Sequence, residues 1–366
     1  MTGIERHLYP GNNTPKGFFS YYHYILDQRE ADKIICLKGG PGAGKSTFMR
    51  AIGEKLLAEG HNIDFMHCSS DNDSLDAIVV RDKKIAILDG TSPHIVDPIN
   101  PGAVDSIINL GDYWDEEGIR KNKEALISSN EKKKSIFARV YNYLAAAEKM
   151  YDNLRNIYES ALRNEELYKI TARIMRTELV HKEIGPPQGN VKKYFASAIT
   201  PQGFKNYLET LVNGYERIYL IKTPIGLGGE KILHLFMEGA LYRGLDVEAY
   251  YCPMKPDTKP EHLLIPDLST AFITSNRYHF ICEEDYTGHM VTINLFDAIE
   301  EKKIKHLEDI LDDSMRKMEE LLEKGIQCLG LAKNEHDVLE GYYTPNMDYS
   351  KIVAIREKLT EEIINR

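Results

Sequence analysis

The chain repeats itself, and a repeat of this length constrains the fold more than any composition figure does. Thr14-Pro15-Lys16-Gly17-Phe18 returns as Thr200-Pro201-Gln202-Gly203-Phe204. At a displacement of 184 positions, Ile34, Lys38, Gly42, Gly44, Glu54, Leu57, Gly60, Cys68 and Asp73 meet Ile218, Lys222, Gly226, Gly228, Glu238, Leu241, Gly244, Cys252 and Asp257. A displacement of 185 then pairs Ile108-Asn109-Leu110-Gly111-Asp112 with Ile293-Asn294-Leu295-Phe296-Asp297, and Ala147, Asp152, Leu154 and Tyr158 with Ala332, Asp337, Leu339 and Tyr343. Glycines, turns and strands recur in one order, so the expectation is an internal duplication. A chain of 366 residues has room for two domains. Gly185-Pro-Pro-Gln-Gly-Asn190 is the clear hinge, which divides the chain into halves 1–187 and 188–366.

Each half has the same coarse anatomy. An apolar strand, Lys33-Ile-Ile-Cys-Leu37 or Arg217-Ile-Tyr-Leu-Ile221, leads through a glycine-rich turn into a helix closed by Gly60 or Gly244. Second strands follow at Ile63–His67 and Val247–Tyr251, and third strands at Ile85–Leu88 and Ala271–Thr274. Strands alternating with helices predict a parallel sheet covered on both faces. Each half then turns helical, over 116–182 and 300–364. Ile136, Val140, Tyr143, Leu144 and Ala147 fall at helical spacing, which predicts a long hairpin or small bundle in each half. The expected fold class is therefore α/β, two tandem parallel-sheet domains, each with a long helical segment.

Acidic side chains outnumber basic ones 56 to 46, for a formal charge of −10. That balance disfavours generic attraction to nucleic acid or anionic lipid. Lys132-Lys133-Lys134 and Lys192-Lys193 read as solvated faces. No apolar run approaches the roughly 20 residues of a membrane helix, and the start of the chain lacks a secretory pattern. The five cysteines are scattered, with no CxxC pair, as in a reduced cytosol. A cytoplasmic protein is expected.

The glycine-rich turn of the first half carries the chemistry. Gly39-Gly40-Pro41-Gly42-Ala43-Gly44-Lys45-Ser46-Thr47 satisfies G-x-x-x-x-G-K-[ST] directly between a strand and a helix. Glycines let consecutive N–H groups turn inward toward a phosphate, and the helix adds its positive end. Lys45 is then the cation for the β- and γ-phosphates, and the Ser46 hydroxyl is placed to ligate Mg²⁺. Asp89, at the tip of the third strand, is the candidate second Mg²⁺ holder, through water; a turn-capping role is the alternative. Gly90 follows Asp89, so the glutamate that activates water in several ATPase classes is missing. Asp71, after the second strand, is the candidate for orienting water or accepting a proton, next to the phosphate loop in a parallel sheet. An Asx-rich turn is the competing reading, and His94 and Asp97 are further candidates at the same sheet edge.

The second half has lost this set together. Gly39 becomes Thr223, Lys45 becomes Gly229, Ser46 becomes Glu230, and the Asp89 strand ends at Thr274-Ser275. Glu230 would set negative charge where a triphosphate needs positive, with Lys231 two positions late. One working site and one retired copy are expected, with Arg277 of the second half as a candidate arginine finger.

On Gly39 to Thr47 with Asp89, the first half resembles the P-loop NTPase superfamily. The doubled Thr-Pro-x-Gly-Phe entry, the Asp89-Gly-Thr-Ser-Pro-His-Ile-Val-Asp-Pro98 run and the Pro101-Gly-Ala-Val-Asp105 to Trp114 segment extend the likeness. By these the whole chain is similar to a family of predicted tandem P-loop ATPases of Gram-positive, often spore-forming bacteria. The resemblance implies cytosolic ATP binding and nothing about a substrate. The expected function is Mg²⁺-dependent ATP binding with slow hydrolysis at the first loop, coupled to the helical segments, through which a protein partner could bind. A small-molecule kinase with Asp71 as base and a non-hydrolysing nucleotide switch are the alternatives.

Overall fold

The computed structural model describes residues 2–92, 95–227, 229–281, 286 and 288–366; His94, Gly228 and Cys282 lie outside them. The first half runs through β1 (Glu5–Leu8), β2 (Gly11–Thr14), β3 (Gly17–Ser20), β4 (Lys33–Lys38), helix α1 (Lys45–Ala58), β5 (Ile63–Cys68), β6 (Asp71–Val80), β7 (Ile85–Asp89) and β8 (Asp105–Asn109). Short α2 (Glu116–Arg120), long α3 (Lys123–Ala161) and α4 (Asn164–Leu179) follow. The second half repeats the order with β9 (Val191–Tyr194), β10 (Ser197–Thr200), β11 (Gly203–Asn206), short α5 (Leu208–Val212), β12 (Arg217–Lys222), α6 (Glu230–Leu241), β13 (Val247–Cys252), β14 (Lys255–Ile265), β15 (Thr270–Ser275) and β16 (His289–Asn294). It ends in short α7 (Glu301–Ile304), long α8 (Glu308–Tyr343) and α9 (Tyr349–Ile364).

The fold is mixed α/β with two six-stranded, mostly parallel sheets. Their orders are β1-β5-β6-β7-β4-β8 and β9-β13-β14-β15-β12-β16, position for position the same. In each, one strand runs against its neighbours, β6 in the first sheet and β14 in the second. The irregularities also match: the β5–β6 register slips at Met66, His67 and Cys68, and the β13–β14 register slips at Tyr250, Tyr251 and Cys252. The sequence reading took Asp71 to Asp73 as loop. Only a short reversal separates β5 from β6, which forces antiparallel pairing. The strand order therefore also corrects the expectation that the second strand adjoins the phosphate loop: β6 and β7 stand between β5 and β4.

Alternation along the strands shows what covers each face. Ile35 and Leu37 point outward into a core with Phe48, Met49 and Ile52 of α1, while Ile34 and Cys36 point inward. Ile218 and Leu220 of the second sheet share that inner core, together with Tyr22, Ile25, Leu208 and Leu211. Each sheet thus has helices on its outer face and the other half of the chain on its inner face. Both faces of each sheet are covered, one by helices and the other by the opposite half of the molecule.

The helical segments depart most from expectation. Helices α3 and α8 run antiparallel along one another, with Ser129 beside Glu335 at one end and Leu144 against Gly325 further along. Each crosses from its own sheet to the other. Ile352, Leu359 and Ile363 of α9 consequently complete the outer core of the first sheet, and Leu167, Ile174 and Leu179 of α4 complete that of the second. Each sheet is built from strands of one half, 1–187 or 188–366, whereas α4 and α9 pack on the sheet of the other half. An amphipathic stripe identifies a face to be buried without identifying its partner.

Candidate functional site

Strand β4 ends at Lys38 and α1 begins at Lys45, and the loop between them turns on Gly42 at φ 68° and Gly44 at φ 81°. Both lie in the left-handed region, which a side chain would strain. The Lys45 ammonium folds back over the loop and donates to the carbonyls of Gly39 at 2.9 Å and Gly40 at 3.0 Å. It also stands 3.6 Å from Asp89 Oδ2, and both side chains are largely buried. The other oxygen of Asp89 accepts from the Thr91 backbone N–H at 2.9 Å and from its hydroxyl. Asp89 therefore caps the turn with one oxygen and faces Lys45 with the other, so the two readings of this residue are compatible. Strands β7 and β4 are direct parallel neighbours, with Asp89 opposite Leu37, which is what brings acid and loop together.

Ser46 Oγ accepts from the Leu75 backbone N–H at 2.9 Å. A hydroxyl oxygen has two lone pairs, so one remains for a cation. Pro41, Ala43 and Thr47 complete the loop, and Ala43 is buried beneath it. Lys38 donates to the carbonyls of Gly90 at 2.7 Å and Val96 at 2.9 Å and pairs with Asp97, fastening the segment after β7 to the loop's own strand. Asp97 is thereby committed to Lys38.

Asp71 opens β6. Its Oδ2 accepts from Ser74 Oγ at 3.0 Å and lies 3.3 Å from the Lys333 ammonium of α8. Asp71 is thus near the loop through Ser74, Leu75 and Ser46 and not through an adjacent strand. Arg277 is placed elsewhere: it pairs with Glu319 of α8 and lies over the Tyr278 ring. Glu319 precedes Glu340 by 21 residues on the same helix, about 31 Å at 1.5 Å per residue. Arg277 is therefore no finger for the first loop of its own chain.

The residues that do reach the first loop come from the far end of α8 and the start of α9, which the sequence reading did not assign. A Cβ on Gly40 would meet the Tyr343 ring at 2.8 Å, and one on Gly42 would meet Thr344 Oγ1 at 2.8 Å and the Glu340 carbonyl at 3.2 Å. The Tyr349 hydroxyl donates to the Gly42 carbonyl at 2.7 Å. The Glu340 carboxyl is held below its ordinary range by His336, by nearby Lys333 and by the Gly42 backbone N–H it accepts. The available signal was the repeat itself, since the step after Leu154 and Leu339 pairs Arg155 with Glu340.

At the second loop Arg155 of α3 pairs with Glu230 at 3.0 Å, and the loop backs onto α3, where a Cβ on Gly226 would meet Leu154 at 2.9 Å. Thr223 closes the turn by donating to the Leu227 carbonyl. Lys231 turns away to Asn164. Lys255, which takes the place of Asp71, pairs with Glu148 and Asp152 of α3.

Beside this second loop is a small cavity of about 40 Å³, with Tyr151, Ile225, Met254, Tyr278 and Met318 among its walls. Buried Lys259 pairs with Glu261 at 2.9 Å, and the ligating atoms of Glu261, His262 and His279 lie within 4.8 Å of one another. Their sequence spacing conceals this grouping, which β14 and the segment after β15 create. Thr274 N–H donates to His262 Nδ1 at 3.2 Å, which leaves the ring proton on Nε2. Lys259 already pairs with the carboxylate, while Glu261 Oε2, His262 Nε2 and His279 Nδ1 are buried without a hydrogen-bond partner among the described residues.

The family model described as Nephrocystin 3, N-terminal, matches residues 20–81, the segment from the end of β3 through the glycine loop and α1 to β6. No curated protein and no solved structure matches the chain. Among the described residues no helix is long and apolar enough to cross a membrane.

Proposed function

We propose that the chain is a tandem duplication of a P-loop NTPase-like unit, in which the first loop binds a Mg²⁺–nucleoside triphosphate, ATP by preference of the resemblance, and hydrolyses it slowly. The single observation that carries this is the Lys45 arrangement: an ammonium resting on loop carbonyls beside Asp89, at the start of a helix, over glycines at positive φ. In that reading the loop N–H groups and Lys45 hold the phosphates, and Ser46 and Asp89 would hold Mg²⁺, which supplies charge neutralisation when bound. Gly90 stands where a water-activating glutamate would follow Asp89, and Asp71 is paired with Lys333, so slow turnover is the expectation.

Among the described residues the second loop has no lysine over its turn, and it carries a buried acid already paired with Arg155, so it is read as a retired copy. A nucleotide-dependent switch is the second reading, favoured by the contact of α8 and α9 with the first loop. The kinase alternative draws no support from an Asp71 held by Lys333. The test is phosphate release and nucleotide binding by the full chain against Lys45→Ala and Asp89→Asn. Loss of binding in Lys45→Ala is expected, by a factor of about 100 or more. Unchanged binding in that variant contradicts the reading, and tight binding without turnover in the parent chain moves it to the switch.

A further inference from the structure

We propose that Tyr349, the first residue of α9, is the platform on which a nucleobase stacks: the first loop grips the polyphosphate, and a ring supplied from the far end of the chain takes the purine. The inference rests on the phosphate-site reading and deepens it by naming what the site holds beyond the phosphates.

The ring stands on the rim of the loop. Its hydroxyl donates to the Gly42 carbonyl at 2.7 Å, and its edge lies beside Gly44, where a Cβ would meet Cε1 at 3.5 Å and Cδ1 at 3.8 Å. Gly44 is the residue from which α1 starts, so the ring flanks the helix end that favours an anion. A nucleotide held with its terminal phosphates at Lys45 and Asp89 must lead its sugar and base out over this rim. Two other rings stand near the loop, but Tyr343 is wedged against Gly40 and packs with Trp114, their centroids 5.9 Å apart. Tyr349, in contrast, is 38 % exposed. A ring left to water at that place has apolar surface to bury against a base.

The ring is held in place without a ligand. The Asp348 backbone N–H, next to it, donates to the Tyr113 carbonyl at 2.8 Å, and the helix beyond it is seated by Ile352, Leu359 and Ile363 in one core with Phe48, Met49 and Ile52 of α1. Little further ordering is then needed when a base arrives. The second half supplies the contrast. At the displacement of 185, Tyr349 matches Asn164, which likewise opens a helix that packs on the sheet of the other half. Asn164 has no ring to offer, and its carboxamide oxygen accepts from Lys231 at 3.0 Å. The loop without the lysine and the hydroxyl is thus also without the aromatic at this position.

The test is calorimetric titration of the full chain and its Tyr349→Ala, Tyr349→Leu, Tyr349→Phe and Lys45→Ala variants with magnesium tripolyphosphate, Mg²⁺–ATP and Mg²⁺–GTP. Stacking accepts either purine, so Tyr349→Ala and Tyr349→Leu are expected to weaken ATP and GTP alike by about tenfold, while tripolyphosphate binds as before. Tyr349→Phe, which keeps the ring and loses the hydroxyl, should retain the preference for nucleotide over tripolyphosphate. That preference is a ratio within each variant, so a general loosening of the loop cancels from it, and Tyr349→Leu keeps apolar bulk where Tyr349→Ala fails to fold. Equal losses on all three ligands would make Tyr349 a brace for Gly42 and nothing more, and no loss on any would take the ring out of the site; either result overturns the proposal. Tripolyphosphate binding with no gain for ATP in the parent chain overturns the base platform alone. If the parent binds none of the three, or Lys45→Ala binds as the parent does, the phosphate-site reading itself has failed and the inference falls with it.

Discussion

The two glycine loops occupy the same place in sheets of identical strand order, yet their charges are inverted. At the first, Lys45 lies over the turn, Asp71 faces Lys333, and an acid, Glu340, arrives from the crossing helix. At the second, the lysine position is Gly229, Lys255 faces Glu148 and Asp152, and a base, Arg155, arrives to meet Glu230. The polar groups at the second loop hold the crossing helix in place, whereas at the first loop Lys45 lies over the turn beside Asp89. Under the proposed reading one loop is a joint and the other is a site.

The exchange of helices offers the largest handle on this comparison. Leu359 of α9 sits in the outer core of the first sheet with Phe48, Met49 and Ile52 of α1, far from them along the chain. Leu359→Ala is expected to cost about 3 kcal/mol of unfolding free energy and to weaken nucleotide binding with it, as measured by urea unfolding followed by titration. Unchanged stability would show that α9 does not complete the first half. Next in size, Arg155→Ala leaves Glu230, buried at 7 %, without its cation. A loss of about 2 kcal/mol is expected, with phosphate binding at the first loop retained; loss of binding without loss of stability would make the second loop part of the site.

The smallest effect is a dependence on pH. Burial holds His7, His262 and His279 below their ordinary value near 6.5 and takes His67 down to about 4. The unfolded chain therefore binds protons that the folded chain refuses. Stability is fully present above about 6.5 and is lost as pH falls through that value toward 4. Glu261, drawn down to about 2 by Lys259 and by the neighbouring histidines, extends the loss below its ordinary 4.5. Urea midpoints taken at pH 7.5 and 5.5 should fall with acidity, and His262→Gln should flatten the trend; a rising midpoint contradicts the burial argument.

Much of this architecture was legible in the residues. The repeated glycines and apolar strands gave two α/β halves in register, and Gly39 to Ser46 with Asp89 marked the loop and the acid that the sheet order brings to it. Strand β6 was missed because Asp71-Asn72-Asp73 carries turn chemistry, while the strand's buried stretch begins only at Leu75. The crossing of α3 and α8 was missed because Val140, Leu144 and Leu329 are equally good knobs for any apolar stripe. The His262–His279 grouping was invisible for a related reason: the pairing of β14 with β15 and the turn after β15, and not spacing along the chain, bring the two rings edge to face.

The central claim is that one loop holds a polyphosphate and its twin does not. Titration of the full chain with Mg²⁺–ATP tests it most directly. The account predicts one site per chain, abolished by Lys45→Ala and untouched by Lys231→Ala. Two sites, no site, or a tenfold loss on changing Lys231 would contradict it.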